Sequence, residues 1–147
     1  LVDTDDMIVE QEGITINEIF DKCGEEYFRK TECEVIKKAA EKKNVVIATG
    51  GGVVLNEQNI ENLRKTGVIF NLSPDFSVIR ERLEEARKTR PLLKRDSIEN
   101  IKKRFDDRKP FYDNCDYKIK VIHGRTPRSY AMEILEIMES SQGAEKQ

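Results

Sequence analysis

Three consecutive glycines follow a short apolar run in the segment ATGGGVVL, residues 48–55. Residues 45–49 have the pattern of a buried strand, so Gly50, Gly51 and Gly52 lie at its carboxyl end. Glycine allows close approach to bare backbone N–H groups, and open α/β sheets bind ligands at the carboxyl ends of their strands. A tight turn that needs positive φ angles is the alternative explanation. Other residues must decide between the two.

Two acidic residues, Asp3 and Asp5, lie two apart in the segment LVDTDD, residues 1–6. If residues 1–3 end a strand, residues two apart point to the same side of the pleat, and we predict that both carboxylates emerge at one edge of the sheet. Such a pair suits one group near a metal ion and another near a substrate hydroxyl. An acidic residue after a strand is also a common helix N-cap, and this alternative stays open.

Arginines form the third group of candidates. Arg29 and Glu32 are three residues apart on a predicted helix, close enough for a surface ion pair. Arg90 lies in a basic segment between two predicted helices, and Arg108 lies near the end of the second helix. Single arginines of this kind are usually solvated. They indicate a functional site only in combination with the acidic pair and the glycines.

Short apolar strands alternate with longer amphipathic helices, the pattern of βα units around a parallel sheet. The sequence therefore predicts an α/β fold. We predict strands at residues 1–3, 45–49, 67–72 and 117–122, and helices at residues 15–22, 24–43, 57–65, 74–86, 97–109 and 127–139. Helix starts are indicated by capping residues at Thr15, Asn56, Ser73 and Thr126.

Composition limits the partners. The 147 residues carry a formal net charge of -2 and 37% charged residues, without the positive excess that polyanion binding needs. No apolar run approaches the roughly 20 residues that cross a bilayer. We therefore expect a cytoplasmic protein with no nucleic-acid partner and no membrane contact. The three cysteines lack the paired spacing of a zinc site or disulfide framework and are predicted to be reduced thiols.

Five segments occur in an order and spacing that resemble shikimate kinase across nearly the whole chain: DTDD, INEIFDKCGEEYFRKTE, ATGGGVVL, TRPLL and DRKPFYDNCDYKI. The resemblance implies a P-loop NTPase-like parallel sheet with flanking helices, of the nucleoside monophosphate kinase-like type. It implies transfer of the γ-phosphoryl group of ATP to the 3-hydroxyl of shikimate with Mg²⁺. It also implies a domain over residues 1–139, a mobile lid at about residues 87–96, a disordered tail at residues 140–147, and a monomer when complete.

The resemblance assigns roles to matching positions near the acidic turn. It implies that Asp5 binds the substrate hydroxyls and orients or deprotonates the attacking one, and that Asp3 supports Mg²⁺. Arg29 and Arg108 are implied to hold the shikimate carboxylate, a task suited to planar guanidinium groups. Glu32 is implied to orient Arg29.

Further roles follow for the remaining motifs. The three glycines are implied to form a wall against the substrate ring. Arg90 is implied to reach the transferring phosphoryl group when the lid closes. Arg125 and Pro127, with Arg82 from the other side, are implied to pack on the adenine base.

The 147 residues contain no G-x-x-x-x-G-K-[ST] sequence, which the resemblance places about 20 residues before the acidic turn. We therefore expect an N-terminally truncated chain that lacks the central first strand of the family sheet and is inactive by itself. Two alternatives stay open. One is a related kinase for another acidic hydroxylated substrate, and the other is a non-catalytic shikimate-binding remnant.

Overall fold

A computed structural model describes residues 1–89 and 97–144. It contains strands β1 (Val2–Asp3), β2 (Ile47–Ala48), β3 (Phe70–Pro74) and β4 (Tyr117–Val121). The helices are α1 (Thr4–Glu12), α2 (Ile16–Ala40), α3 (Glu57–Arg64), α4 (Phe76–Thr89), α5 (Ile98–Tyr112) and α6 (Pro127–Ala144), with a 3₁₀ turn at Val53–Leu55. The predicted α/β class is confirmed. The chain divides into an N-terminal unit, Leu1–Ile69, and a C-terminal unit that begins at Phe70.

The described strands form two parallel pairs, β1 with β2 and β3 with β4. All four strands were predicted, but β3 contains Ser73 and Pro74, which we had predicted to start a helix. Ser73 lies opposite Lys120 and Pro74 lies opposite Val121, so pairing with β4 prevails over the local capping signal. The helix begins only at Phe76.

Helix α1 was not predicted, and it changes the geometry of the acidic turn. Asp3 is its N-cap, because Asp3 Oδ1 accepts hydrogen bonds from the backbone N–H groups of Asp5 at 2.8 Å and Asp6 at 3.3 Å. Asp5 therefore lies in the first turn of a helix. The prediction that Asp3 and Asp5 share one face of a strand is wrong, and the N-cap alternative is correct for Asp3.

Helix α2 begins after the predicted capping residue Thr15, which forms a capping box with Glu18. Thr15 Oγ1 accepts from the Glu18 backbone N–H, and the Glu18 carboxylate accepts from the Thr15 backbone N–H. At Gly24 the backbone has φ 82° and ψ 173°, a conformation that favours glycine and interrupts the helix. The two helices predicted on either side of this residue are thus confirmed.

Each unit has its own apolar core. In the N-terminal unit one buried cluster comes from α1 and α2: Ile8, Ile19, Phe28 and Val35. In the C-terminal unit they come from α4, β4 and α6: Val78, Ile119, Val121 and Tyr130. The two cores anchor the strand ends and helices that carry the candidate site residues.

Helices α5 and α6 extend beyond their predicted ends. Pro110 lies inside α5, and the Asp113 backbone N–H donates to the carbonyls of Lys109 and Phe111, so the last turn closes without an N–H from the proline. Helix α6 continues to Ala144, five residues beyond its predicted end. The disordered tail stays a prediction. Residues 145–147 lie outside the described part.

Two expectations from composition can be compared with the structure. Within residues 1–89 and 97–144, no helix is both long and apolar enough to span a membrane. Cys23, Cys33 and Cys115 are all free thiols, as predicted.

Candidate active site

The glycine loop after β2 packs directly against two predicted site residues. A Cβ atom placed on Gly50 would lie 2.8 Å from Asp5 Oδ1, and one placed on Gly52 would lie 2.2 Å from Arg29 Nη1. Both distances are shorter than real Cβ contacts, so a side chain at Gly50 would displace Asp5 and one at Gly52 would displace Arg29. Asp5 and Arg29 therefore pack against glycines two residues apart, and glycine lets both side chains keep these positions.

The alternative explanation for these glycines, a tight turn that needs positive φ angles, is wrong. Gly52 has φ −88° and ψ −10°, and the described glycines with positive φ are Gly13, Gly24 and Gly124. Backbone strain therefore does not require glycine at positions 50 and 52. Close approach requires it, and the groups that approach are side chains of the protein itself.

Arg29 is held between two carboxylates on its own helix. Its Nη1 donates to Glu32 Oε2 at 2.8 Å, and its Nη2 donates to Glu25 Oε1 at 3.3 Å. The Arg29 guanidinium carbon also lies 5.1 Å from the centre of the Phe28 ring. The Glu32 side chain is only 3% exposed, so this contact is not the surface ion pair that its spacing suggested.

The guanidinium of Arg29 has one nitrogen without a partner. Its Nε is buried and has no hydrogen-bond partner among the described residues. Burial lowers the pKa of Arg29, but hydrogen bonds and charges from Glu32 and Glu25 outweigh that effect and raise the pKa above its ordinary value. The group therefore stays charged.

Asp5 is half-buried at the start of α1, beside Gly50. Burial raises the pKa of Asp5, and the negative charges of Asp3 and Asp6 raise it further. A carboxylate with a raised pKa is a better proton acceptor, because catalytic bases work best when their pKa approaches the working pH. The local chemistry therefore suits a general base.

An open cavity of about 450 Å³ surrounds the Arg29 guanidinium. Its lining residues are Glu25, Arg29, Glu32, Leu55, Asn56 and Glu57. Sequence reasoning did not identify Glu25, although it lies four residues before Arg29, the spacing of an ion pair on a helix. The cavity thus presents one cation among several carboxylates.

The other predicted site residues belong to the C-terminal unit. Arg108 is half-buried on α5 and has no hydrogen-bond or ion-pair partner among the described residues, while Arg82 is exposed on α4. Pro127 is the exposed first residue of α6. The structure thus brings together Asp5 and Arg29 of the N-terminal unit, and the convergence of Arg108 with them stays a prediction.

Arg125 precedes α6 and binds residues of that helix. Its Nη1 donates to Glu133 Oε2 at 2.7 Å, its Nε to Ser129 Oγ at 3.2 Å, and its Nη2 to the Ser129 carbonyl at 3.1 Å. One face of the guanidinium packs on Tyr130, with the carbon 4.4 Å from the ring centre. All three nitrogens are therefore engaged.

The predicted lid is described only at its start. Helix α4 continues to Thr89, so residues 87–89 are helical. Arg90 lies outside the described residues.

Comparison with known proteins identifies the family. The family model for shikimate kinase matches residues 1–139. The chain belongs to the shikimate kinase family. Shikimate kinase from Aquifex aeolicus is 40% identical over 139 residues, which cover 95% of this chain and 80% of that relative. Shikimate kinase from Caldicellulosiruptor bescii is 46% identical over 120 residues, which cover 81% of this chain and 69% of that relative.

Solved structures of shikimate kinases share the fold. The shikimate kinase from Acinetobacter baumannii in complex with shikimate has a TM-score of 0.82 and 31% identity, over 95% of this chain and 78% of that one. The shikimate kinase from Aquifex aeolicus has a TM-score of 0.78 and 34% identity, over 95% of this chain and 80% of that one. These matches confirm the predicted family and its P-loop NTPase-like fold.

Proposed function

We propose that this shikimate kinase family member binds shikimate through Arg29 and Asp5, in the transfer of the γ-phosphoryl group of ATP to the 3-hydroxyl. The observation that carries the proposal is the close packing of Gly52 on Arg29 and of Gly50 on Asp5. A related structure that holds shikimate supports the choice of substrate.

Arg29 is proposed to bind the substrate carboxylate. A guanidinium is a planar fork that matches a carboxylate, and such charge-assisted hydrogen bonds are among the strongest in proteins. Glu32 fixes the fork from its buried side, so less side-chain freedom is lost when the ligand binds. Arg108, which has a charge and no described partner, is proposed as the second carboxylate ligand.

Asp5 is proposed to orient the attacking hydroxyl and to accept its proton. Its raised pKa favours proton transfer, and a positioned general base contributes about 10²–10⁴ in rate. Phosphoryl transfer depends mainly on in-line positioning and on stabilisation of charge. Gly51, between the two packed glycines, is proposed to expose backbone to the substrate ring.

ATP is the phosphoryl donor that membership of this family implies. We propose that Arg125 and Pro127 pack on the adenine base, with Arg82 on its other side. Because all three Arg125 nitrogens are engaged, it is expected to offer its free face rather than a hydrogen bond. Arg90 is proposed as the lid residue that stabilises the transferred phosphoryl group.

Magnesium is the metal that this chemistry calls for, since it neutralises charge on the nucleotide phosphates. Within the described residues, no group of three or more acidic, cysteine or histidine side chains is arranged to hold a metal ion. Asp3 uses Oδ1 to cap α1, which leaves its second oxygen, and Asp5 adds negative charge nearby. These residues fit a supporting role for Asp3 through water, without a complete protein cage.

The test is calorimetric titration of the 147-residue chain with shikimate. Binding is measured rather than turnover, because these residues contain no G-x-x-x-x-G-K-[ST] sequence. Arg29→Lys retains the charge that pairs with Glu32 but removes the fork, so we expect the dissociation constant to rise about tenfold or more. An unchanged constant would contradict the proposal. Equal affinity for another acidic polyol, such as gluconate, would favour the alternative substrate.

A monomeric state and a cytoplasmic location stay predictions.

A further inference from the structure

The two carboxylates on Arg29 differ in strength and exposure. The Glu32 side chain is 3% exposed and lies 2.8 Å from Nη1, whereas the Glu25 side chain is 67% exposed and lies 3.3 Å from Nη2. Exposed ion pairs contribute roughly 0–1 kcal/mol, so water and other anions compete readily with the outer contact. Glu32 therefore anchors Arg29, and Glu25 is the partner that can be replaced.

The replaceable contact faces the cavity. Glu25 and Arg29 both line the cavity of about 450 Å³, and Glu25 places a carboxylate on a guanidinium nitrogen there. A ligand carboxylate that approaches Arg29 from this cavity offers the same chemical group. Ligand and protein thus compete for the same donor.

We propose that the Glu25 carboxylate occupies Arg29 Nη2 until the carboxylate of the substrate displaces it. This inference rests on the proposed function, because it takes Arg29 to be the carboxylate ligand. A compound with only a carboxylate exchanges one ion pair for another and gains little. A compound that also presents a hydroxyl to Asp5 gains a second interaction, which this exchange of ion pairs does not cancel.

Substitution of Glu25 tests the competition directly. In calorimetric titrations of the 147-residue chain, Glu25→Gln is expected to lower the dissociation constant for shikimate about two- to fivefold, the equivalent of a weak exposed ion pair. Glu25→Asp retains the charge but shortens the reach to Arg29, and it is expected to tighten binding as well. Acetate, a carboxylate without hydroxyls, is expected to inhibit shikimate binding more strongly in both variants.

The control is Glu26→Gln. Glu26 is the exposed neighbour of Glu25 and has no partner among the described residues, so this change removes one negative charge without touching Arg29. Its dissociation constant is expected to equal that of the unaltered chain. If Glu26→Gln tightens binding as much as Glu25→Gln, general charge is responsible and the inference is overturned.

The outcomes separate this inference from the proposed function. If Arg29→Lys weakens shikimate binding but neither Glu25 variant tightens it, the inference fails and the proposed function stands. If Arg29→Lys has no effect, or the unaltered chain binds no shikimate, the proposed carboxylate site fails and the inference fails with it. Circular dichroism of every variant checks that the fold is retained.

Discussion

Arg29 of the N-terminal unit and Arg125 of the C-terminal unit have similar surroundings. Each forms a short ion pair with a glutamate, at 2.8 Å and 2.7 Å, and each packs against a nearby aromatic ring. They differ in how their nitrogens are bonded within the described part of the chain. Arg125 engages all three nitrogens, whereas Arg29 has a buried Nε without a partner and a weakly held Nη2.

The comparison separates a binding arginine from a structural one. Glu32 is 3% exposed and Glu133 is 37% exposed, so the pair of Arg29 is anchored from the interior and the pair of Arg125 lies near solvent. A buried anchor on Nη1 and an exposed, weaker partner on Nη2 suit a group that must meet a ligand. Arg125 instead binds the first turns of α6 through all three nitrogens, so only the plane of its guanidinium is left to pack on a ligand.

The largest expected effect is on stability. Glu32→Gln removes the buried charge that pairs with Arg29, and we expect the free energy of unfolding to fall by about 2–3 kcal/mol, below the usual range for buried pairs because Arg29 is partly exposed. The matched change Glu133→Gln in the pair of Arg125 is expected to cost less than about 1 kcal/mol. Urea denaturation followed by circular dichroism measures both. Equal losses would refute the distinction between the two arginines.

A smaller effect is expected from the glycine loop. In Gly52→Ala the new methyl group overlaps Arg29 Nη1, so the guanidinium must move, and we expect the shikimate dissociation constant to rise about ten- to hundredfold. Gly67→Ala is the control, because a Cβ there lies 3.4 Å from the Leu63 carbonyl oxygen. Calorimetry distinguishes the two, and binding that survives in Gly52→Ala would show that Arg29 is not held by this loop.

The smallest effect concerns Asp5 and pH. The folded protein raises the pKa of Asp5 above its ordinary value of 3.8. The charged carboxylate therefore destabilises the fold, and this loss of stability develops as pH increases from 3.8 through the raised pKa. Asp5→Asn is therefore expected to increase the free energy of unfolding at pH 7 by less than about 1 kcal/mol, since solvent screens this half-buried group. The gain should vanish below pH 3.8. A loss of stability at pH 7 would contradict the raised pKa.

Local patterns in the sequence were reliable where local hydrogen bonds determine the structure. The cap at Thr15 and the break at Gly24 were both predicted, because each depends on residues within one turn of the helix. The same approach missed α1, whose acidic first turn resembles a loop until Asp3 is seen to cap it. It also placed a helix start at Ser73, where pairing with β4 keeps the backbone extended.

The sequence by itself determined the α/β class, the family, and the types of side chain at the site. Only the tertiary structure decided why the glycines are there and which contacts of Arg29 are firm. Arg29 and Gly52 are far apart along the chain, and their contact forms only after α2 and the loop after β2 have packed together. Local propensity does not encode such contacts, because steric exclusion and burial act between segments that meet only in the folded protein.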